Sequence, residues 1–530
     1  MNRFDRLAIA ALTTETIMPA TQRGIPQMPK PVPEAGGLDH PSHSPASVSV
    51  LLGTGGDRRI WPDAITRRNR YGTRLTPADD EISFSSTTAS NVSREGFLAA
   101  GVELGRLIDM ASPSPVASDH WFAGIRDRIA RSLGCAGAHV ILAASGTDAE
   151  LLALCMIAGI SRRPLTNVLV APDETGNGVP RAAAGRHYSD LTALGGAVET
   201  GAPLAGLSPD RIDVRTIAIR NETGEPRHQL DIDADVIAAV EMELRRGRDV
   251  LVHVLDTSKT GLPAVTREAA RHVAALAPGR VRVVVDACQF RGSISRLRQD
   301  LADGFVVALT GSKFIAGPPF SGALLIPSDL ADDFSARADI PAGLADYSAA
   351  QDWPAAFRQR MNFAFKSDLN LGLGLRWVAA LANLDGYAGI DESRHGLVKE
   401  QFVRLARSRI DAASGISLHQ DDDGDHLGSR AMVPLTVMNG TGSFASFEEC
   451  QTIQVLMRGL NGGPICHVGQ AVRLGSRSVL RVAASAADVV EVSARMAAGQ
   501  SLHQAFRPIE ARLDIFFHKL SAVLHQFRGA

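Results

Sequence analysis

Between His139 and Leu309 the chain alternates short apolar runs with helical stretches, a pattern that few architectures accept. The runs are His139–Ala143, Asn167–Ala171, Val214–Arg220, Val250–Leu255, Val281–Asp286 and Phe305–Leu309. Helices are expected at Thr147–Ala158, Asp233–Arg246 and Arg267–Leu276. Runs this short, rich in apolar and β-branched side chains, read as strands buried on both faces, which the intervening helices must cover. The expected fold class is α/β, built round a mostly parallel sheet.

The pattern changes after the run Gly322–Pro327. Helical stretches at Asp368–Leu384 and Glu392–Ala413 lead to the run Ala431–Met438 and a helix at Phe447–Leu460. Strands at His467–Leu474 and Ser478–Ala484 and closing helices at Ala487–Ala498 and Phe506–His525 complete a smaller C-terminal α+β domain. Upstream, helices are expected at Val92–Met110 and at Ser118–Leu133, with Ser118 or Asp119 as N-cap. Seven of the 27 prolines fall in the first 48 residues, so 1–48 is expected to be a flexible extension. The chain then divides into an N-terminal segment (49–130), a large domain (131–345) and linking helices with a small domain (346–530).

Charge and cysteine usage exclude several functions. Lys and Arg number 55 against 57 Asp and Glu, and aromatics make 5% of the chain, which argues against a nucleic-acid groove. No apolar run approaches the roughly 18 residues of a membrane span, and the run Leu7–Leu12 is too short for a secretory signal. Five widely spaced cysteines without a CxxC pair indicate neither a disulfide framework nor a metal site, and suggest the reducing cytoplasm. Gly53, Gly55 and Gly56 invite comparison with a dinucleotide fingerprint, but Arg58 occupies the third glycine position.

Four motifs carry chemistry. Ala143–Glu150 reads AASGTDAE at a strand-to-helix junction, where Ser145, Gly146 and Thr147 present donors to an anion; an N-cap with an acidic first turn explains the same residues. Val283–Gln289 reads VVVDACQ and ends a buried strand on Asp286, an acid that needs a partner such as a protonated ring nitrogen. Val306–Phe314 reads VVALTGSKF, which places Lys313 at a strand end for Schiff-base formation, with Thr310 and Ser312 beside it as further phosphate contacts. Val479–Ala483 reads VLRVA, where Arg481 suits bidentate capture of a carboxylate. Together these are the requirements of pyridoxal 5′-phosphate and an amino acid.

In this order, with Lys313 following Asp286 by 27 residues, the motifs resemble the fold type I pyridoxal-phosphate enzymes, within them the class V aminotransferase and cysteine desulfurase-like group, over residues 80 to 500. The resemblance implies a seven-stranded, mostly parallel sheet with a smaller C-terminal domain. It implies Asp286 on the pyridine nitrogen, Gln289 on the ring oxygen, Lys313 as covalent anchor, Gly146 and Thr147 on the phosphate, and Arg481 on the substrate carboxylate. It also implies a homodimer with sites at the subunit interface. Asp256–Gly261 resembles the Ser/Thr-Gly segment beside the cofactor, so Thr257 and Ser258 are expected to face substrate. Lys259 is a rival anchor in the wrong order, and His253 reads as a core histidine. The chain departs from the family at Ala171–Gly178, which holds no ring to stack on the cofactor; Thr175 or Glu174 covers that face, or the partner comes from elsewhere. Asn69–Arg74 and the hydroxyl-rich Ser83–Ser90 are expected to enter the site, although turn and capping roles explain them as well.

The expected activity is transamination of an amino acid whose carboxylate Arg481 holds, with no nucleic acid or membrane as partner. A sulfur lyase or cysteine desulfurase using Cys466 is the alternative, although the cysteine stands where a strand begins and would be an inert buried side chain. A non-catalytic binding protein on the same fold is a third reading, against which Asp286, Gln289 and Lys313 together argue.

Overall fold

The computed structural model describes residues 45–109, 115–337, 339–419, 431–460 and 463–529. Most of the extension expected over 1–48 lies outside them. Its last residues belong to a helix, Pro45–Leu52, whose Val48, Leu51 and Leu52 pack on Leu104 and Leu375, so the boundary expected at 48 falls inside an element.

Among the described residues, twelve strands form two sheets: β1 (Ile82–Phe84), β2 (His139–Ala143), β3 (Leu165–Val170), β4 (Ile212–Ile217), β5 (Asp249–Leu255), β6 (Val281–Ala287), β7 (Val306–Thr310), β8 (Gly322–Ile326), β9 (Ile416–Leu418), β10 (Met432–Val437), β11 (Cys466–Leu474) and β12 (Arg477–Ala483). The seven-stranded sheet has the order β2-β8-β7-β6-β5-β3-β4. β8 pairs antiparallel with both β7 and β2, and every other pair is parallel. β3, β5, β7 and β8 are buried at every residue, which is why they lack alternation. The edge strand β4 is partly exposed.

The small sheet has the order β1-β11-β12-β10-β9. Its β9, β10, β12 and β11 are antiparallel neighbours, whereas β1 runs parallel to β11 with Ile82 opposite Cys466. The N-terminal segment thus supplies the edge of the C-terminal sheet, a pairing that three residues of local sequence do not announce. The helix expected from Ser118 begins at Pro115, so neither Ser118 nor Asp119 caps it; Asp119 pairs with Arg358 at 2.6 Å.

Helix Leu371–Ala388 ties the lobes together. Its Trp377 donates to the Gly322 carbonyl at 2.8 Å, and the fully buried Arg376 donates to the carbonyls of Phe320, Leu52, Thr54 and Gly55. The glycine cluster after Leu52 is therefore structural. Gly55 has φ +65°, and a Cβ there would lie 1.7 Å from Asn370 Oδ1.

Glu81, one residue before β1, locks the segment in place. Its carboxylate accepts from Arg68 at 2.5 Å, Arg74 at 2.9 Å and His467 Nε2 at 2.6 Å. Burial works against the charge, but His467 and Arg68 hold Glu81 down at about 2. Burial likewise lowers His467 below its ordinary value. Both groups bind protons more readily in the unfolded chain, so stability falls as pH drops. The loss is expected to begin as His467 titrates below 6.5 and to deepen as pH falls from 4.5 towards 2 through Glu81. Urea midpoints from pH 7 to 4 should show this fall, and Glu81→Leu should cost about 3 kcal/mol at pH 7 while flattening its lower part.

Candidate active site

The C-terminal ends of β3, β5, β6 and β7 and the N-terminus of helix Gly146–Ile160 surround a cavity of about 430 Å³. In open α/β sheets this is where ligands bind, because backbone donors and loop side chains converge there. Ser145, Gly146 and Thr147 line it at the helix start. Ser145 caps that helix: its hydroxyl accepts from Asp148 N–H and donates to Asp148 Oδ2 at 2.5 Å. The N–H groups of Gly146 and Thr147 take no partner among the described residues, and so remain available to an anion.

Asp286 lies at the end of β6. Its Oδ1 accepts from Cys288 N–H at 3.0 Å, and its Oδ2 accepts from the Thr175 hydroxyl at 3.1 Å. Burial opposes the charge, yet His253, Lys313 and the Cys288 N–H hold the carboxyl below its ordinary range. His253 Nε2 is 3.7 Å from Asp286 and 3.4 Å from Glu150, and neither ring nitrogen forms a hydrogen bond. The expectation of a satisfied core histidine is thus corrected. His253 is a buried polar group between two carboxylates, directly behind the site.

Lys313 sits in the turn after β7, half-buried, and its amine forms no hydrogen bond among the described residues. Ser90 brackets the turn, donating through N–H to the Ser312 carbonyl at 3.1 Å and through its hydroxyl to the Lys313 carbonyl at 2.8 Å. Ser312 and Thr310 line the cavity, but the Thr310 hydroxyl donates to the Cys288 carbonyl at 2.9 Å and offers no proton to a phosphate. Gln289 also lines it; its amide donates to the Thr87 carbonyl at 3.0 Å and its carbonyl accepts from Arg291 at 3.3 Å.

Arg481 is 2% exposed and projects from β12 into the same cavity. Its donors reach the Gln470 carbonyl at 2.8 Å, the Lys259 carbonyl at 3.1 Å and the Thr88 hydroxyl at 3.3 Å, all neutral. Burial brings it down to about 10, with Glu174 opposing. Thr257 lines the cavity, whereas Ser258 does not: its hydroxyl donates to Glu174 Oε2 at 2.5 Å. Glu174 is further engaged by Arg220 and Thr260, and the Thr175 hydroxyl by Asp286, so neither polar group points freely at a ring. The rings at the cavity wall are Tyr71, Tyr188 and Phe320.

Cys466 does not reach this cavity. It is fully buried at the start of β11, its Sγ directed to the Pro464 carbonyl at 3.5 Å, and burial pushes the thiol up to about 11. A nucleophilic role for Cys466 is excluded by this placement. Cys466→Ser is expected to leave cofactor binding and activity within about twofold of the parent, because a group outside the cavity makes no contact with reacting atoms. Loss of activity with retained fold would contradict the assignment.

Tyr71 belongs to the Asn69–Arg74 stretch expected to enter the site and does line the cavity, whereas sequence reasoning missed Arg59 and Phe320. Arg59 pairs with Asp57 at 2.6 Å and lies over the Phe320 ring at 5.0 Å. The basic-aromatic composition of residues 57–71 hinted at Arg59, and nothing local singled out Phe320.

No protein-family model and no curated protein matches the sequence. Among solved structures, the chain is similar to a NifS-like protein at 11% identity, covering 84% of this chain and 99% of that one with a TM-score of 0.54. The cysteine desulfurase CsdA of Escherichia coli matches at 13% identity over 85% of this chain and 96% of its own, with a TM-score of 0.50. A NifS-like protein of Rickettsia africae matches at 10% identity over 83% and 99% respectively, also at 0.50. The sheet order, the smaller mixed sheet and these matches define the class: the chain has the fold type I architecture of pyridoxal-phosphate enzymes. A likeness at such identities is one of fold, and the activity has to be argued from the cavity. No helix of the described residues is long and apolar enough to cross a membrane, and no group of described residues forms a metal site.

Proposed function

We propose that this chain is a pyridoxal-phosphate-dependent enzyme acting on an amino acid, and that the reaction is transamination. The observation that carries the reading is Arg481: a buried guanidinium bonded only to neutral acceptors, in the cavity that Lys313 and Asp286 also line. A buried cation without a countercharge is costly, and an incoming carboxylate supplies it.

The residues present fit the cofactor. The free N–H groups of Gly146 and Thr147 at a helix N-terminus would hold its phosphate. Asp286 is an ionised, buried acid for its ring nitrogen, and Lys313 carries an amine free for its aldehyde. When bound, pyridoxal 5′-phosphate supplies an electron-withdrawing ring that stabilises negative charge at the substrate Cα.

The side chains then divide the work. Arg481 clamps the α-carboxylate; by stabilising negative charge on its oxygens it disfavours loss of carbon dioxide, which would carry that charge onto Cα, and leaves the Cα–H bond as the one to break. Lys313 Nζ takes the Cα proton and returns it to another atom, a step in which a positioned base contributes about 10²–10⁴-fold. Ser90, by fixing the carbonyls on either side of the Ser312–Lys313 peptide, limits where that amine can move. Burial of Asp286 and Thr175 keeps water from the ring-nitrogen side. The five cysteines are free and buried, consistent with the proposed cytoplasmic location, and a homodimer is proposed as the working form. Reconstitution with pyridoxal 5′-phosphate should produce a visible absorbance band, and the protein should exchange an amino acid Cα hydrogen for solvent deuterium. Absence of a band would overturn the reading.

A further inference from the structure

With the cofactor's phosphate at Gly146 and Thr147 and one carboxylate on Arg481, one further cation of the cavity still has no anion beside it. Arg59 is paired with Asp57, Arg58 with Asp190 at 3.5 Å, and Glu174 with Arg220. Asp286 faces His253 and the charge of Lys313. Four further cations line the cavity: Arg70 and Arg181, both exposed and screened by water, Lys259, half-buried, and Arg481, buried. No carboxylate of the described residues lies within 4.0 Å of Lys259 or Arg481.

These two cations are built as a pair. Lys259 follows β5, and its backbone carbonyl accepts from Arg481 Nη1 at 3.1 Å, so the residue that supports the arginine also carries the second charge. The Lys259 amine rests on the Asn177 side-chain carbonyl at 2.9 Å and on the Asp173 carbonyl at 3.5 Å, both uncharged. Burial, followed by repulsion from Arg481 and Lys313, brings its amine down to about 8, with the carboxylates of Glu174 and Asp173 opposing from beyond ion-pair distance. An α-carboxylate on Arg481 leaves Lys259 still unanswered. We propose that the substrate is an amino acid with a second acid group in its side chain, which Lys259 binds while Arg481 binds the α-carboxylate. The inference rests on the reading of the chain as a pyridoxal-phosphate enzyme and narrows its substrate class.

The test uses the protein loaded with pyridoxal 5′-phosphate. L-Aspartate, L-glutamate and L-cysteine sulfinate are titrated against L-alanine and L-leucine, following the visible absorbance and Cα-hydrogen exchange in separate experiments. At least one diacid is expected to half-saturate at a concentration about 10-fold or more below the neutral amino acids, the scale of one charge-assisted hydrogen bond. Lys259→Met should erase that preference while keeping the cofactor band and the response to alanine, and Lys259→Arg should restore it. Equal response to neutral amino acids and diacids by the wild type would overturn the inference and leave the enzyme reading intact. Loss of the cofactor band in Lys259→Met would overturn it too, by showing that the amine serves the phosphate. No band in the wild type would overturn the enzyme reading itself.

Discussion

Lys313→Ala is expected to fold as the parent does, to develop no visible absorbance band with pyridoxal 5′-phosphate, and to lose Cα-hydrogen exchange by a factor of about 10³ or more. Folding should survive because the amine has no hydrogen-bond partner among the described residues, so its removal leaves no buried group unsatisfied. The turn itself is held by backbone groups: Gly311 N–H on the Ser321 carbonyl at 2.7 Å and the two bonds from Ser90. Activity should not survive, because one nitrogen is asked both to anchor the cofactor and to move the substrate proton. Among the described residues, Lys259 is the only other lysine lining the cavity. A band that persists in Lys313→Ala but disappears in Lys259→Met would exchange the two roles.

Asp286→Asn is expected to bind the cofactor, with the exchange rate lowered by about 10²–10³-fold, the usual cost of removing one preorganised electrostatic partner. The amide fits the space, and its carbonyl can accept from Cys288 N–H or Thr175 as the carboxylate does at 3.0 and 3.1 Å. What it lacks is charge. Without an anion at the end of β6 the ring nitrogen has no reason to keep a proton, and the ring withdraws electrons less. Lys313, one of the groups that hold Asp286 ionised against burial, then also loses its nearby anion. An unchanged rate would show that Asp286 does not face the ring nitrogen. Unfolding would instead trace to the stranded His253, which circular dichroism at neutral pH separates from a catalytic effect.

Much of the site was legible because its chemistry is written locally. Asp286 lies at the end of a run of apolar, mostly β-branched residues and Lys313 three residues after another, and in a series of such runs alternating with helices these read as buried parallel strands, at whose C-terminal ends α/β sheets bind ligands. Ser145 to Thr147 announce a helix start by composition, and both readings of that start coexist, Ser145 serving as the cap while the next two N–H groups stay free. Side-chain direction was not legible. Ser258 and Thr257 are adjacent and chemically alike, yet only Thr257 lines the cavity, because Glu174 draws the Ser258 hydroxyl away. Thr310 is diverted to Cys288 and Gln289 to Thr87, by partners 22 and 202 residues distant.

The sequence by itself determined the α/β layering, the smaller C-terminal domain, the order of acid, lysine and arginine, and the absence of a membrane-length helix among the described elements. Periodicity and local chemistry depend on neighbours in the chain, and they survive any folding that respects them. Tertiary structure decided the rest. It paired β1 with β11, set Glu81 on a histidine 386 residues away, buried Cys466 out of reach, left His253 between two acids, and set the Lys259 carbonyl on Arg481. Such pairings are settled by which surfaces meet when the lobes close, and no local pattern records that.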